Sequence, residues 1–261
     1  MPPIALLAGA ILLSSCGGGG GSNLPTPSAN ALYVPSGCDA TTYAPNYIAS
    51  NTDASDSNRN SFTYWRHFPI SVYVPASTDA ATRAATLAGY DQWVAATGGR
   101  ASYKLVSSAK GADLAVSYAP NDQPADSSGN ITVGLTTVNY IPTVKVNNIQ
   151  FATMQLFVLN PDGSPDAKSD VDGTVQSIAA HEFGHALGIG PHSLVSDDLM
   201  YYLLHNDGVR PEPVTQRDLN TIESIYCNNF PTASGSALER KSAAGGNVTS
   251  RTLPPLRRAT R

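Results

Sequence analysis

Residues 181–192 read HEFGHALGIGPH, and this stretch decides both the fold and the chemistry of the chain. On a helix, His181 and His185 lie one turn apart on the same face, so both imidazoles can bind one metal ion. Gly188 allows the chain to leave the helix, and the bend can return His192 as a third nitrogen ligand. Three protein ligands with an open fourth position are typical of a catalytic zinc site. The alternative is an amphipathic core helix with hydrogen-bonded histidines, but three of the five histidines fall in this stretch.

Glu182 follows the first histidine and points beside the ligand face of the helix. In that position its carboxylate can reach metal-activated water without binding the metal itself. We therefore expect Glu182 to be the general base of a hydrolytic reaction, with Zn2+ as the cofactor.

The stretch HEFGHALGIGPHS and the downstream Leu199, Met200 and Tyr201 resemble the metzincin metallopeptidases and, among them, the matrixins. The resemblance covers roughly residues 62–227. It implies an α+β fold: a single catalytic domain with a twisted mixed sheet, an antiparallel edge strand, a long active-site helix and a C-terminal helix. It also implies a tight turn at Met200 beneath the metal, and a polypeptide substrate bound in an extended conformation.

The chain departs from the family pattern HExxHxxGxxH, which would place the third ligand at Pro191. His192 comes one residue late, as a residue inserted near Gly190 would produce, and glycine can absorb such an insertion. We expect His192 to be the third ligand, with Asp197 or Asp198 as the substitute if the loop cannot close.

The pair Met200 and Tyr202 resembles the spacing at which the astacin and serralysin branches place a tyrosine near the metal. Tyr202 is accordingly a candidate for a fifth ligand or an oxyanion donor, and the alternative is an ordinary packed tyrosine.

The composition indicates one substantial domain with tails in an exported protein. Only 14% of the 261 residues are charged and the net charge is −4, so there is no electrostatic case for binding nucleic acid. No apolar run after the N-terminus is long enough to span a membrane. We expect a monomer.

Residues 1–16 contain an apolar stretch followed by Cys16 and resemble a bacterial lipoprotein signal. This predicts a lipid anchor on Cys16 and a place in the cell envelope, on the outer membrane or the periplasmic face; the alternative is an ordinary cleaved signal peptide and secretion. Residues 17–60 are rich in Gly, Pro and Ser and predict a flexible tether. Cys38 and Cys227 predict one disulfide, the alternative for Cys38 being a cap on the zinc.

The apolar patterns predict the remaining elements within a metallopeptidase domain at 61–230. They are strands at 68–74, 103–106, 114–118 and 151–159, and helices at 80–97, at 174–187 and after a capping box at 215–218. By resemblance, the strand at 151–159 would be the antiparallel edge strand above the cleft. Residues 160–173 are rich in Asp and Gly and predict a solvated turn or, alternatively, a Ca2+ loop. Residues 231–261 predict a disordered basic tail.

These observations favour a zinc endopeptidase. One rival is a non-catalytic zinc-containing envelope lipoprotein that binds polypeptides in its cleft, and another is hydrolysis of a non-peptide amide.

Overall fold

The computed structural model of the chain describes residues 41–47, 63–76, 79–142, 147–164, 173–204, 211–228, 230–231 and 248–259. Cys16 and Cys38 lie outside these ranges, so the lipid anchor and the disulfide to Cys227 stay predictions. The calcium loop also falls largely outside them. Among the described helices, none has the length and apolar character needed to cross a membrane.

The described strands form one mixed sheet. They are β1 (Thr63–Tyr64), β2 (Ile70–Tyr73), β3 (Tyr103–Leu105), β4 (Leu114–Pro120), β5 (Asn130–Pro142), β6 (Asn147–Leu159), β7 (Thr249–Thr252) and β8 (Leu256–Ala259). The strand order is β3-β2-β4-β6-β5-β7, with β1 paired to β6 and β8 paired to β5. Strands β2, β3, β4 and β6 run parallel to one another, and β5 runs antiparallel to β6.

Three described helices complete the fold: α1 (Ala80–Ala96), α2 (Thr174–Ala186) and α3 (Gln216–Tyr226). Helix α1 begins where the Asp79 carboxylate accepts hydrogen bonds from the amides of Ala81 and Thr82. Helix α3 begins with the capping box of Thr215 and Asp218, as the sequence predicts.

Helix α2 is buried at every residue but Gln176, and side chains of neighbouring elements donate hydrogen bonds to its carbonyl groups. The Trp93 indole of α1 donates to the Ala180 carbonyl at 2.7 Å. At the C-terminal end, the Trp65 indole donates to Ala186 at 2.8 Å and the Tyr226 hydroxyl donates to Leu187 at 2.8 Å. The bonds to Ala186 and Leu187 satisfy carbonyls that the helix end leaves unpaired, and they fix the position from which the chain turns.

The predicted fold class is confirmed. However, the predicted edge strand is not at the edge of the sheet, and one strand was missed. The segment 151–159 belongs to β6, which lies inside the sheet between β4 and β5. The antiparallel strand beyond it is β5, which the sequence analysis did not assign. Two register shifts, after Thr132 and after Asn139, break the alternation of its side chains.

The prediction of a disordered tail at 231–261 was also wrong over its described part. Residues 249–252 and 256–259 form β7 and β8, and both pair with β5 in antiparallel register. The sheet therefore extends past the predicted domain boundary at residue 230. The sequence did not indicate this, because the strand with which the tail pairs, β5, is more than 100 residues earlier in the chain.

We predict that Gly188→Ala strongly destabilises the protein. Gly188 has a φ of 117°, and a Cβ there would lie 2.1 Å from the Thr63 carbonyl oxygen. The backbone would have to shift, which we expect to lower the free energy of unfolding by about 2–4 kcal/mol. Urea denaturation measures the change.

Gly163→Ala is the matched control, because Gly163 also has a positive φ, of 82°, but nothing lies within 4 Å of its added Cβ. Its cost should be only about 1 kcal/mol, from the left-handed backbone alone. Equal losses in the two variants would show that the contact with Thr63 is unimportant.

Candidate active site

Three histidine side chains meet in front of helix α2. His181 and His185 come from consecutive turns of the helix, and His192 returns after the bend at Gly188. The Nε2 atom of His192 lies 3.1 Å from Nε2 of His181 and 3.3 Å from Nε2 of His185. Nitrogens bound at about 2.1 Å to one tetrahedral zinc ion would be about 3.4 Å apart, so the cluster has the dimensions of a metal site.

The tautomers of two of these histidines are fixed by main-chain carbonyl groups. Nδ1 of His181 lies 2.7 Å from the Leu199 oxygen, and Nδ1 of His185 lies 2.7 Å from the Ile189 oxygen. A carbonyl can only accept, so each Nδ1 carries the proton and each Nε2 presents a lone pair to the centre of the cluster. Converging lone pairs repel each other unless a cation lies between them, so the arrangement fits a metal ion.

Burial keeps all three imidazoles neutral near pH 7. It lowers the pKa of His181 and His192 well below the usual value, and that of His185 to about 4. The other imidazoles add to the effect at His181 and His192, since two positive charges cannot share so small a space. Neutral imidazole is the form that binds a metal ion.

Glu182 directly follows His181 on α2, and its carboxylate faces strand β5. The Thr136 hydroxyl donates to Oε2 of Glu182 at 2.6 Å, whereas Oε1 has no hydrogen-bond partner among the described residues. Burial raises the pKa of Glu182 to about 8, opposed by the Thr136 hydroxyl and the Leu256 amide. Gly134 of β5 leaves room for this carboxylate, because a Cβ there would lie 2.4 Å from Oε1.

Met200 lies in a tight turn under the helix, as expected from the resemblance. It is fully buried, and its sulfur packs where a side chain at Gly184 would be, since a Cβ there would lie 2.5 Å from Sδ. The same turn supplies the Leu199 carbonyl that binds His181. The Met200 region therefore supports the helix by packing and His181 by a hydrogen bond.

Asp218 ties this turn to helix α3, a role that the sequence analysis missed. Its carboxylate accepts from the Leu199 amide at 3.1 Å, the Met200 amide at 3.3 Å and the hydroxyl of Tyr47. Burial raises the pKa of Asp218 to about 7, against the hydrogen bonds from the amides of Thr215, Met200 and Leu199, which lower it. The capping box signalled where α3 begins, but it gave no sign that its carboxylate also reaches a turn elsewhere in the chain.

The other residues predicted for the site lie outside the histidine cluster. Asp198 is not in the cluster, because it is paired with Arg217 at 3.2 Å, and Asp197 is exposed. Gly190 is buried, and the positive φ of this bend lies at Gly188 rather than at Gly190. The Tyr202 ring lies 6.4 Å from the His192 ring and is 42% exposed, and its role as a ligand stays a prediction.

Comparison with known families gives one match that covers this site. The sequence profile described as Matrixin matches residues 59–227, which include both β5 and α2. No protein in a curated collection matches the chain.

We predict that Asp218→Ala destabilises the turn at Met200 and weakens metal binding. The amides of Leu199 and Met200 would lose their acceptor in a buried place, which we expect to cost about 2–4 kcal/mol of unfolding free energy. Zinc affinity should fall about tenfold or more, because the Leu199 carbonyl would no longer be held against His181.

Urea unfolding and a zinc titration test this prediction, with Asp197→Ala as the control. Asp197 is an acidic residue of the same segment but is exposed, so its substitution should change neither quantity. If Asp218→Ala bound zinc as tightly as Asp197→Ala did, the proposed support of His181 through the turn would be wrong.

Proposed function

Because the chain belongs to the matrixin family, we propose that it is a zinc-dependent endopeptidase acting on extended polypeptides. The observation that carries the proposal is the convergence of three imidazole nitrogens at the helix that also carries the buried Glu182. Two of the Nε2 atoms have fixed lone pairs, so the set of donors fits zinc. When bound, the ion would supply a Lewis acid that polarises the peptide carbonyl and lowers the pKa of water.

The proposed role of Glu182 is to move the proton of the attacking water. Its Oε2 is held by Thr136, and its Oε1 has no hydrogen-bond partner in the described part of the chain. Oε1 is therefore the atom that would accept the proton as water adds to the carbonyl carbon. As the C–N bond breaks, the same oxygen would return the proton to the departing amine.

The outer edge of β5 is the proposed binding site for the substrate backbone. A strand edge presents amide and carbonyl groups at regular intervals, and an extended peptide can pair with them whatever its sequence. Because Gly134 of β5 lies against Glu182, a peptide paired with this edge passes in front of the general base. This arrangement favours cleavage within a chain.

The rival role, a non-catalytic polypeptide binder, loses the sequence feature that favoured it. That feature was the late third histidine, and the structure nevertheless brings His192 into the cluster. We further propose a lipid anchor at Cys16, a location in the cell envelope, a Cys38–Cys227 disulfide and a monomeric state. These proposals rest on the sequence features given above.

We predict that Glu182→Gln abolishes peptide hydrolysis but retains the metal. The amide cannot accept the proton of the attacking water, so kcat should fall by about 10²–10⁴-fold. Casein or a quenched peptide library reports activity, and atomic absorption reports zinc content.

Glu223→Gln is the matched control for that substitution. Glu223 lies on α3, outside the histidine cluster, and its carboxylate is 2.6 Å from the Arg100 guanidinium. Its substitution should therefore leave kcat unchanged. Full chelator-sensitive activity in Glu182→Gln would disprove the assigned role.

We also predict that His192→Ala weakens zinc binding by at least about 100-fold, because only two nitrogen ligands would remain. Isothermal titration of the metal-free protein measures the affinity. His67→Gln is the control, since His67 pairs with Asp113 in another part of the sheet. Zinc bound equally tightly by both variants would mean that another group supplies the third ligand.

A further inference from the structure

The C-terminal segment of the chain lies along the edge of β5 that the proposed function assigns to substrate. We call residues 249–259 the C-terminal strap. Its first part, β7, pairs antiparallel with 137–140 of β5, and its second part, β8, pairs antiparallel with 130–134. Between them the Leu253 amide donates to the Thr136 carbonyl at 2.9 Å. The strap thus follows β5 across the whole width of the site.

The opposite side of the strap is bound to the segment that follows the Met200 turn. The Arg257 amide donates to the Tyr202 carbonyl at 3.0 Å, and the Leu204 amide donates to the Arg257 carbonyl at 2.8 Å. These bonds form a parallel bridge between Leu203 and Arg257. The second part of the strap therefore lies between two backbone segments, which is how a cleft binds an extended peptide.

The middle of the strap passes in front of the catalytic residues. Leu256 pairs with Gly134, the residue of β5 that lies against Glu182. The start of β8 at Leu256 therefore lies opposite the residue of β5 that contacts Glu182, the proposed general base.

Side chains anchor the strap as well as its backbone. Leu253 and Leu256 are only 3% and 1% exposed and belong to the hydrophobic core. Arg257 forms an ion pair with Asp126, whose other oxygen accepts from the amides of Ser128 and Asn130 just before β5. A peptide bound in a cleft buries some of its side chains in pockets, as the strap does with its two leucines. A strand lying on an exposed sheet edge would not need to bury them.

We propose that the C-terminal strap occupies the substrate cleft between β5 and residues 202–204, with Leu256 buried opposite Gly134, and so inhibits the peptidase within its own chain. The proposal rests on the proposed function. A substrate must displace the strap before it can pair with β5, so its apparent affinity is reduced by the fraction of molecules with an open cleft. The alternative is that the strap is only a structural strand.

The experiment compares full-length, zinc-loaded variants. Leu256→Asp should raise kcat/KM for a quenched peptide by about tenfold or more, because a carboxylate cannot replace a buried leucine. Val248→Asp is the matched control: it makes the same kind of change just before the strap, at a residue that is 52% exposed, and should leave kcat/KM unchanged. Asp126→Ala removes an anchor from outside the strap and should raise kcat/KM by about two- to fivefold.

A second readout does not depend on catalysis. The probe is a fluorescein-labelled peptide with the sequence of residues 249–261, and its binding is measured by fluorescence anisotropy in proteins that carry Glu182→Gln. It should bind the protein with Leu256→Asp at least about tenfold more tightly than the protein with an unchanged strap. The same peptide carrying L256D should bind neither chain. Thermal unfolding of each variant shows whether the fold is retained.

The outcomes separate the two proposals. If Leu256→Asp bound the peptide more tightly but no variant hydrolysed peptide, the strap proposal would stand and the peptidase proposal would be refuted. The strap proposal would be overturned if the folded Leu256→Asp and Asp126→Ala variants cut peptide no faster than Val248→Asp did and bound no more labelled peptide.

Discussion

The bend at Gly188 is the constraint on which the rest of the site depends. The backbone there has a φ of 117° and lies so close to the Thr63 carbonyl that no side chain fits. The end of α2 just before it is fixed by hydrogen bonds from Trp65 and Tyr226. Since His185 precedes this bend and His192 follows it, the distance between their Nε2 atoms is set by the packing of the helix end and not by the histidines themselves.

Helix α3 carries none of the three histidines, but it also helps to position the histidine cluster. Asp218 binds the amides of Leu199 and Met200, and the Leu199 carbonyl binds His181. The carboxylate therefore determines the orientation of an imidazole through one peptide unit. Such outer partners fix ring orientation and tautomer, so a metal centre includes more of the chain than its ligands.

The sequence predicted what depends on local spacing and missed what depends on distant pairing. The ligand helix, helix α1 and the start of α3 each have a periodicity or a cap within a few residues, and all three were correct. Strand β5 was missed because its two register shifts break the alternation of its side chains. The strap was read as disordered because its arginines and prolines are typical of solvated tails, whereas its order comes from contact with β5.

The strap also bears on a general problem of edge strands. Without the strap, the edge of β5 could pair with any extended chain, which would suit the proposed peptidase but would also favour aggregation. A strand from the same chain covers the edge, yet a continuous strand would be hard to displace. Pro254 and Pro255 interrupt the strap where β7 ends and β8 begins, because proline has no amide proton to donate to the ladder. The interruption falls opposite Glu182, so the covering strand is weakest at the point where a substrate must enter.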